Sequence, residues 1–239
     1  MGRRAFRYVR TLKSQMAVMF RAGAVVAYAA AMGYAEAAAV AYLRQALVGS
    51  SAGQLQSSLM RIESGREAAT MVMLATVGGI AGRTWSARFA YLTIAFGVWD
   101  ITYYGFFHLL VGWPPSLATW DELFVLPVPW FGPVWAPIVV SLILIGLGAR
   151  LLAPWPQLQA WQILMTVAAA ALVFASFTVQ VEPGGGFTGS GAGHNFLWPV
   201  FTLGVALGVL PLMVGFRLRP ADERRRRAKV RPGPRAHRW

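Results

Sequence analysis

The chain is dominated by apolar blocks of about twenty residues each, the length an α-helix needs to cross a hydrocarbon core. In lipid every backbone polar group must find a partner inside the protein, so such blocks fold as helices rather than as irregular chain. Six blocks can be marked out, at residues 22–43, 67–81, 89–111, 130–149, 159–180 and 198–216. The second is the weakest, because its apolar core lies near the lower limit for crossing, and a re-entrant or tilted helix is the alternative there. The predicted fold is therefore all-α, a polytopic transmembrane helix bundle of about six spans.

Composition agrees. Hydrophobic residues make up 56% of the 239 and charged residues only 13%, against roughly 25% charged in soluble domains. Mean hydropathy is +0.51. The predicted organisation is a basic N-terminal arm (1–21), one membrane domain (22–216) and a basic, disordered C-terminal tail (217–239). A net charge of +13 invites a nucleic-acid reading, yet ten of the 22 Lys and Arg lie in the last 23 residues, directly after an apolar block. That placement, without interleaved aromatics, points to anionic lipid headgroups and away from nucleic acid. The absence of cysteine excludes disulfides, thiolate nucleophiles and cysteine-ligated metal sites.

Basic residues also set the expected orientation. They gather in the N-terminal arm, in the Arg83 to Arg88 turn, at Arg150 and in the tail, while 112–129 and 181–197 contain none. By the positive-inside rule both termini are cytoplasmic. Arg44, Arg61 and Arg66 dissent, since they fall in or beside the first outer loop. Arg3, Arg4 and Phe6 also mimic a twin-arginine export signal, and a removable presequence would leave the later spans unchanged.

Ionisable groups inside such blocks are costly and call for a partner or a wet cavity. At about 1.5 Å per residue, Glu36 and Asp100 both fall in the outer half of their spans. Glu63 and Glu67 stand one turn apart, with Arg66 beside them and Thr70 a turn deeper on the same face. Tyr103 and Tyr104 stand one turn from Asp100. Asp121 and Glu122 in the following loop would hang over this layer. The candidate ligand-binding set is Glu36, Glu63, Glu67, Thr70, Asp100, Tyr103, Tyr104 and Asp121. The competing reading makes Arg44, Arg61 and Arg66 ion-pair partners that neutralise Glu36, Glu63 and Glu67 in a buried network. Trp99, Asp100, Tyr103 and Tyr104 form an amphipathic patch suited to a headgroup, a quinone or a carotenoid-like ring, or simply to interface anchoring. His108 and His194 are candidate metal ligands, although no diagnostic ligand spacing accompanies them. No particular cofactor is specified.

Residues 112–137 interleave six prolines with four tryptophans and predict a stiff outer lid or cap. Gly78 with Gly82 and Gly204 with Gly208 would let helices approach closely, within the chain or between copies. The stretch Gly184 to Gly193 lacks the ending of a phosphate loop and reads as a flexible outer loop.

Several blocks together resemble a family of bacterial multi-pass membrane proteins. They are Glu36-Ala-Ala with Tyr42-Leu-Arg44, Arg66-Glu67-Ala-Ala-Thr70, Trp99-Asp100 with Tyr103-Tyr104, Gly112-Trp-Pro with Thr119-Trp-Asp121, Pro127-Val-Pro-Trp130 and Gly132-Pro133. The resemblance covers about residues 30–150. It implies a multi-pass protein of the bacterial cytoplasmic (inner) membrane and brings no activity, cofactor or catalytic assignment.

Three functions fit these residues. The first is binding or transport of a cation, proton or polar small molecule at an outer-leaflet carboxylate layer. The second is a noncatalytic subunit of a respiratory or photosynthetic membrane complex. The third is an intramembrane enzyme acting on lipid or quinone, with Glu36, Glu67 or Asp100 as acid or base and His108 or His194 carrying protons. No nucleophile motif supports this last possibility.

Overall fold

The computed structural model describes residues 2–47, 52–153, 158–179 and 196–217. Within them run six helices: α1 (Gly2–Leu47), α2 (Ala52–Ala81), α3 (Trp85–Val111), α4 (Trp135–Leu152), α5 (Ala160–Thr178) and α6 (Trp198–Arg217). Between α3 and α4 lies an antiparallel hairpin of β1 (Trp120–Phe124) and β2 (Trp130–Pro133). Four helical segments are long and apolar enough to cross a membrane: Gln15–Gln45 of α1, and all of α3, α4 and α5. The apolar part of α6, Trp198–Met213, is shorter. α2, which carries Arg61, Glu63, Arg66 and Glu67, is not among the four. The glycine-rich stretch, His194 and the basic tail beyond Arg217 lie outside the described residues.

Local chemistry explains where the elements start and stop. The Thr84 hydroxyl accepts the Ala87 N–H at 3.2 Å and caps α3. At the far end Gly112 adopts φ 69° and returns its N–H to the His108 carbonyl, a left-handed stop suited to glycine. The fourth apolar block was expected to be helical from 130, but Trp130–Pro133 form β2 and the helix begins at Trp135. Pro127, Pro129 and Pro133 break any helix there, whereas Pro137 falls in the first turn of α4, where a missing N–H is harmless. The N-terminal arm and first block are one continuous helix of 46 residues, about 69 Å long.

α3 is the central helix, packed against α1, α2 and α4, while α5 packs on α6. Glycines set the closest approaches. A Cβ on Gly97 would lie 2.5 Å from the Ser141 carbonyl oxygen, and one on Gly148 would lie 2.5 Å from that of Ala90. This reciprocal pair draws α3 and α4 together and brings Ser141 to Asp100. Gly33 similarly seats α1 against Trp99 and Thr102. Gly78 and Gly82 meet the backbone of α3 near Arg88, and Gly204 meets α5, so the four-residue glycine pairs pack within the chain. Gly97→Ala or Gly148→Ala is expected to lower stability by about 1–3 kcal/mol through overpacking. Thermal unfolding in detergent measures it, with Gly105→Ala as the harmless control because nothing lies within 4 Å of its Cβ position.

The largest buried cluster joins α1, α2 and α3 through Val25, Ala29, Leu74, Tyr91, Ile94 and Trp99. A second joins Ala136, Phe177, Phe196 and Phe201 under the hairpin. Large apolar side chains such as Phe20, Leu109, Leu164 and Leu203 point outward, as surfaces covered by lipid do.

Candidate acidic cavity

At the hairpin end of the bundle, α1, α2, α3 and β1 enclose a cavity of about 170 Å³. Its lining includes all eight predicted ligand-binding residues, Glu36, Glu63, Glu67, Thr70, Asp100, Tyr103, Tyr104 and Asp121, together with Glu122, Arg44 and Arg66. The chain has nine acidic residues, and six of them line this one cavity beside two arginines.

Arg66 organises the α1–α2 side. Its guanidinium bridges Glu36 and Glu63, with Nε donating to Glu63 Oε2 at 3.1 Å. Glu36, almost fully buried, also accepts from the Thr70 hydroxyl at 2.6 Å and from the Trp99 indole N–H. Arg66 thus pairs with Glu36 and Glu63, two of the three carboxylates of the expected network. Of the other two expected cations, Arg44 lines the cavity and Arg61 does not. Arg44 lines the cavity with its guanidinium over the rings of Phe107 and Trp113, at 4.7 and 4.5 Å from their centroids. Arg61 sits on an exposed face of α2 and does not line the cavity.

Glu67 faces the hairpin. The Val125 N–H donates to its two oxygens at 2.9 and 3.0 Å, and the Leu126 N–H donates to Oε2 at 3.0 Å. A carboxylate holding two backbone donors at the turn latches the hairpin to α2. Among the described residues Asp100 is bonded by the Ser141 hydroxyl of α4, which donates to it at 2.8 Å, and no arginine or lysine pairs with it. Sequence reasoning required a partner from another helix, a tyrosine or water, and left Ser141 unidentified because a lone serine in an apolar helix carries no signal of its own.

The Tyr104 hydroxyl donates to Asp121 at 3.1 Å, tying the central helix to the strand above it. Asp121 is pushed up to about 6, chiefly by burial, against the opposing effects of the Tyr104 hydrogen bond and the Arg44 charge. Burial and the nearby Glu67 charge push Glu122 upward as well. Tyr103 stacks on Trp99 with centroids 6.4 Å apart, which adds aromatic faces to the carboxylates.

His108 lies apart from this constellation. Its Nδ1 is 2.9 Å from the Pro114 carbonyl and its ring does not line the cavity. Among the described residues no group of three or more His, Asp or Glu side chains is placed to hold a metal ion. The missed contributors, besides Ser141, are Leu123 and Phe124 of β1, which close the cavity from above. Alternating apolar residues in a proline-rich loop gave too short a signal for a strand. No family model, curated protein or solved structure matches this chain, so its function is to be read from the chemistry of the cavity.

Proposed function

We propose that this chain is a six-span protein of the bacterial inner membrane, with both termini cytoplasmic, whose acidic cavity opens outward and binds a small organic ammonium cation. The observation that carries this reading is the gathering of six of the nine carboxylates around one cavity, in a chain whose net charge is +13. Arg66 answers Glu36 and Glu63. Asp100 and Asp121 accept from the hydroxyls of Ser141 and Tyr104, and among the described residues neither forms an ion pair. An ammonium group offers N–H donors to these carboxylates, and the faces of Trp99, Tyr103 and Tyr104 suit its charge. A cavity of about 170 Å³ is larger than a bare ion requires. The cytoplasmic termini and six crossings rest on the distribution of Lys and Arg.

Isothermal titration of the protein in lipid nanodiscs tests this reading. Ethylammonium is expected to bind saturably, whereas ethanol and acetate do not. Asp121→Asn should weaken ethylammonium about tenfold, the worth of one charge-assisted hydrogen bond. Equal heats for ethylammonium and ethanol would sink the proposal.

Acidity gives a second check. A bound cation favours ionised Asp121, so affinity should fall as pH drops through about 6. Tyr104 of α3, Arg44 of α1 and the adjacent Glu122 face this carboxylate and set its midpoint. For the empty protein the sign reverses. A carboxyl whose folded value is raised from 3.8 to about 6 favours folding while protonated, so its contribution is lost as pH rises through that interval. A Tm that declines over this range without ligand, and recovers when ethylammonium is added, is the expected result.

A further inference from the structure

Behind the acidic cavity lies a second, larger one of about 260 Å³, between α3, α4, α5, α6 and the hairpin. Its lining is almost wholly apolar, with Phe96, Trp130, Leu144, Val173 and Phe177 among its walls. The two cavities share Asp100, Leu123 and Phe124. Asp100, with Ser141 bonded to it, is therefore the acidic group at their common wall, charged chemistry on one side and hydrocarbon on the other.

From this arrangement we infer that the ligand is a single-chain cationic amphiphile, its ammonium head in the acidic cavity and its hydrocarbon tail in the apolar one. The inference rests on the cation-binding reading and supplies its ligand class. The two volumes together fall within the roughly 300–1,000 Å³ typical of small-molecule sites. Lipid tails are as apolar as the cavity wall, so moving a tail from bilayer to cavity is close to neutral, and the head supplies the discrimination. The tail holds the head at high effective concentration beside the carboxylates. It also lets the guest arrive from the membrane.

The experiment measures saturable binding of dodecylammonium, ethylammonium and dodecanol to protein-loaded nanodiscs over empty ones. Three proteins are compared: wild type, Asp121→Asn and Ala170→Phe. Ala170 lines only the apolar cavity and lies on an exposed part of α5, so a phenyl ring there fills tail space. Dodecylammonium should bind at least tenfold tighter than ethylammonium and at least tenfold tighter than dodecanol. Ala170→Phe should erase the advantage over ethylammonium while ethylammonium itself binds as before, which also reports that the variant is folded. Asp121→Asn should weaken both amines. If Ala170→Phe leaves dodecylammonium unaffected, the tail lies elsewhere and the inference fails, although the acidic site stands. If dodecanol matches dodecylammonium, the apolar cavity is a site for lipid chains alone and the inference again fails. If neither amine binds, the cation-binding reading falls with it.

Discussion

Arg66→Ala is expected to lower the stability of this protein by about 2–4 kcal/mol, somewhat less than the range for a fully buried ion pair because the guanidinium is partly exposed. The cause is what the mutation leaves behind. Glu36 keeps its hydrogen bonds from Thr70 and Trp99 but loses its counter-charge, and Glu63 loses both guanidinium contacts. Two carboxylates on different helices then face Glu67, Asp121 and Glu122 across one cavity. Arg66→Lys should recover only part of the loss, since a point charge cannot span two carboxylates as a planar fork does. The triple variant Arg66→Met, Glu36→Gln, Glu63→Gln should regain most of it, because an isosteric neutral network has no charge to compensate. Thermal unfolding of the four proteins in one detergent provides the measurement. A neutral Arg66→Ala would show that the network does not hold α1 to α2.

The second large effect is expected at Glu67. Glu67→Ala strands the Val125 and Leu126 amides, which now donate to a buried carboxylate. Hydrogen bonds to charged groups contribute roughly 1.5–3 kcal/mol each, so the two together place the loss at about 3 kcal/mol after relaxation of the turn. Exchange of these two amides should accelerate about a hundredfold relative to amides within α4. Glu67→Gln keeps one acceptor oxygen and should fall between the two. If exchange at Val125 and Leu126 is unchanged in Glu67→Ala, the latch is not what holds the hairpin down. These expectations assign Glu67 a structural task in the cavity wall, beside the ligand-binding role that its position alone suggests.

Much of the site was legible because depth along a helix is simple arithmetic. A fixed rise per residue put Glu36, Glu67 and Asp100 at one level, and the spacing of Glu63, Arg66, Glu67 and Thr70 put them near one another on α2. The structure gathers them around one cavity. What stayed hidden depended on contacts between elements far apart in sequence. Ser141 resembles any small residue in an apolar helix until Gly97 and Gly148 bring α4 against α3. Those two glycines carry no spacing signal either, because they lie on different helices and matter only as a pair. Charge patterning places Arg44 among the carboxylates but cannot foresee Phe107 and Trp113, whose flat faces it also meets. The hairpin was legible only as a stiff proline-rich cap. Its strands of five and four residues are too short for alternation to identify.

Leu123 and Phe124, adjacent side chains of a short strand rather than parts of a helix, line both cavities. A substitution there would move the boundary between charged and oily space and would also alter the packing of Phe124 on Phe96, Trp99 and Trp130. Trimming Phe124 would deepen the chamber available to a longer or bulkier guest, and enlarging Leu123 would shorten it. Under the proposed reading, selectivity could therefore be tuned one residue at a time, at a place where the chain is a strand and not a membrane-crossing helix.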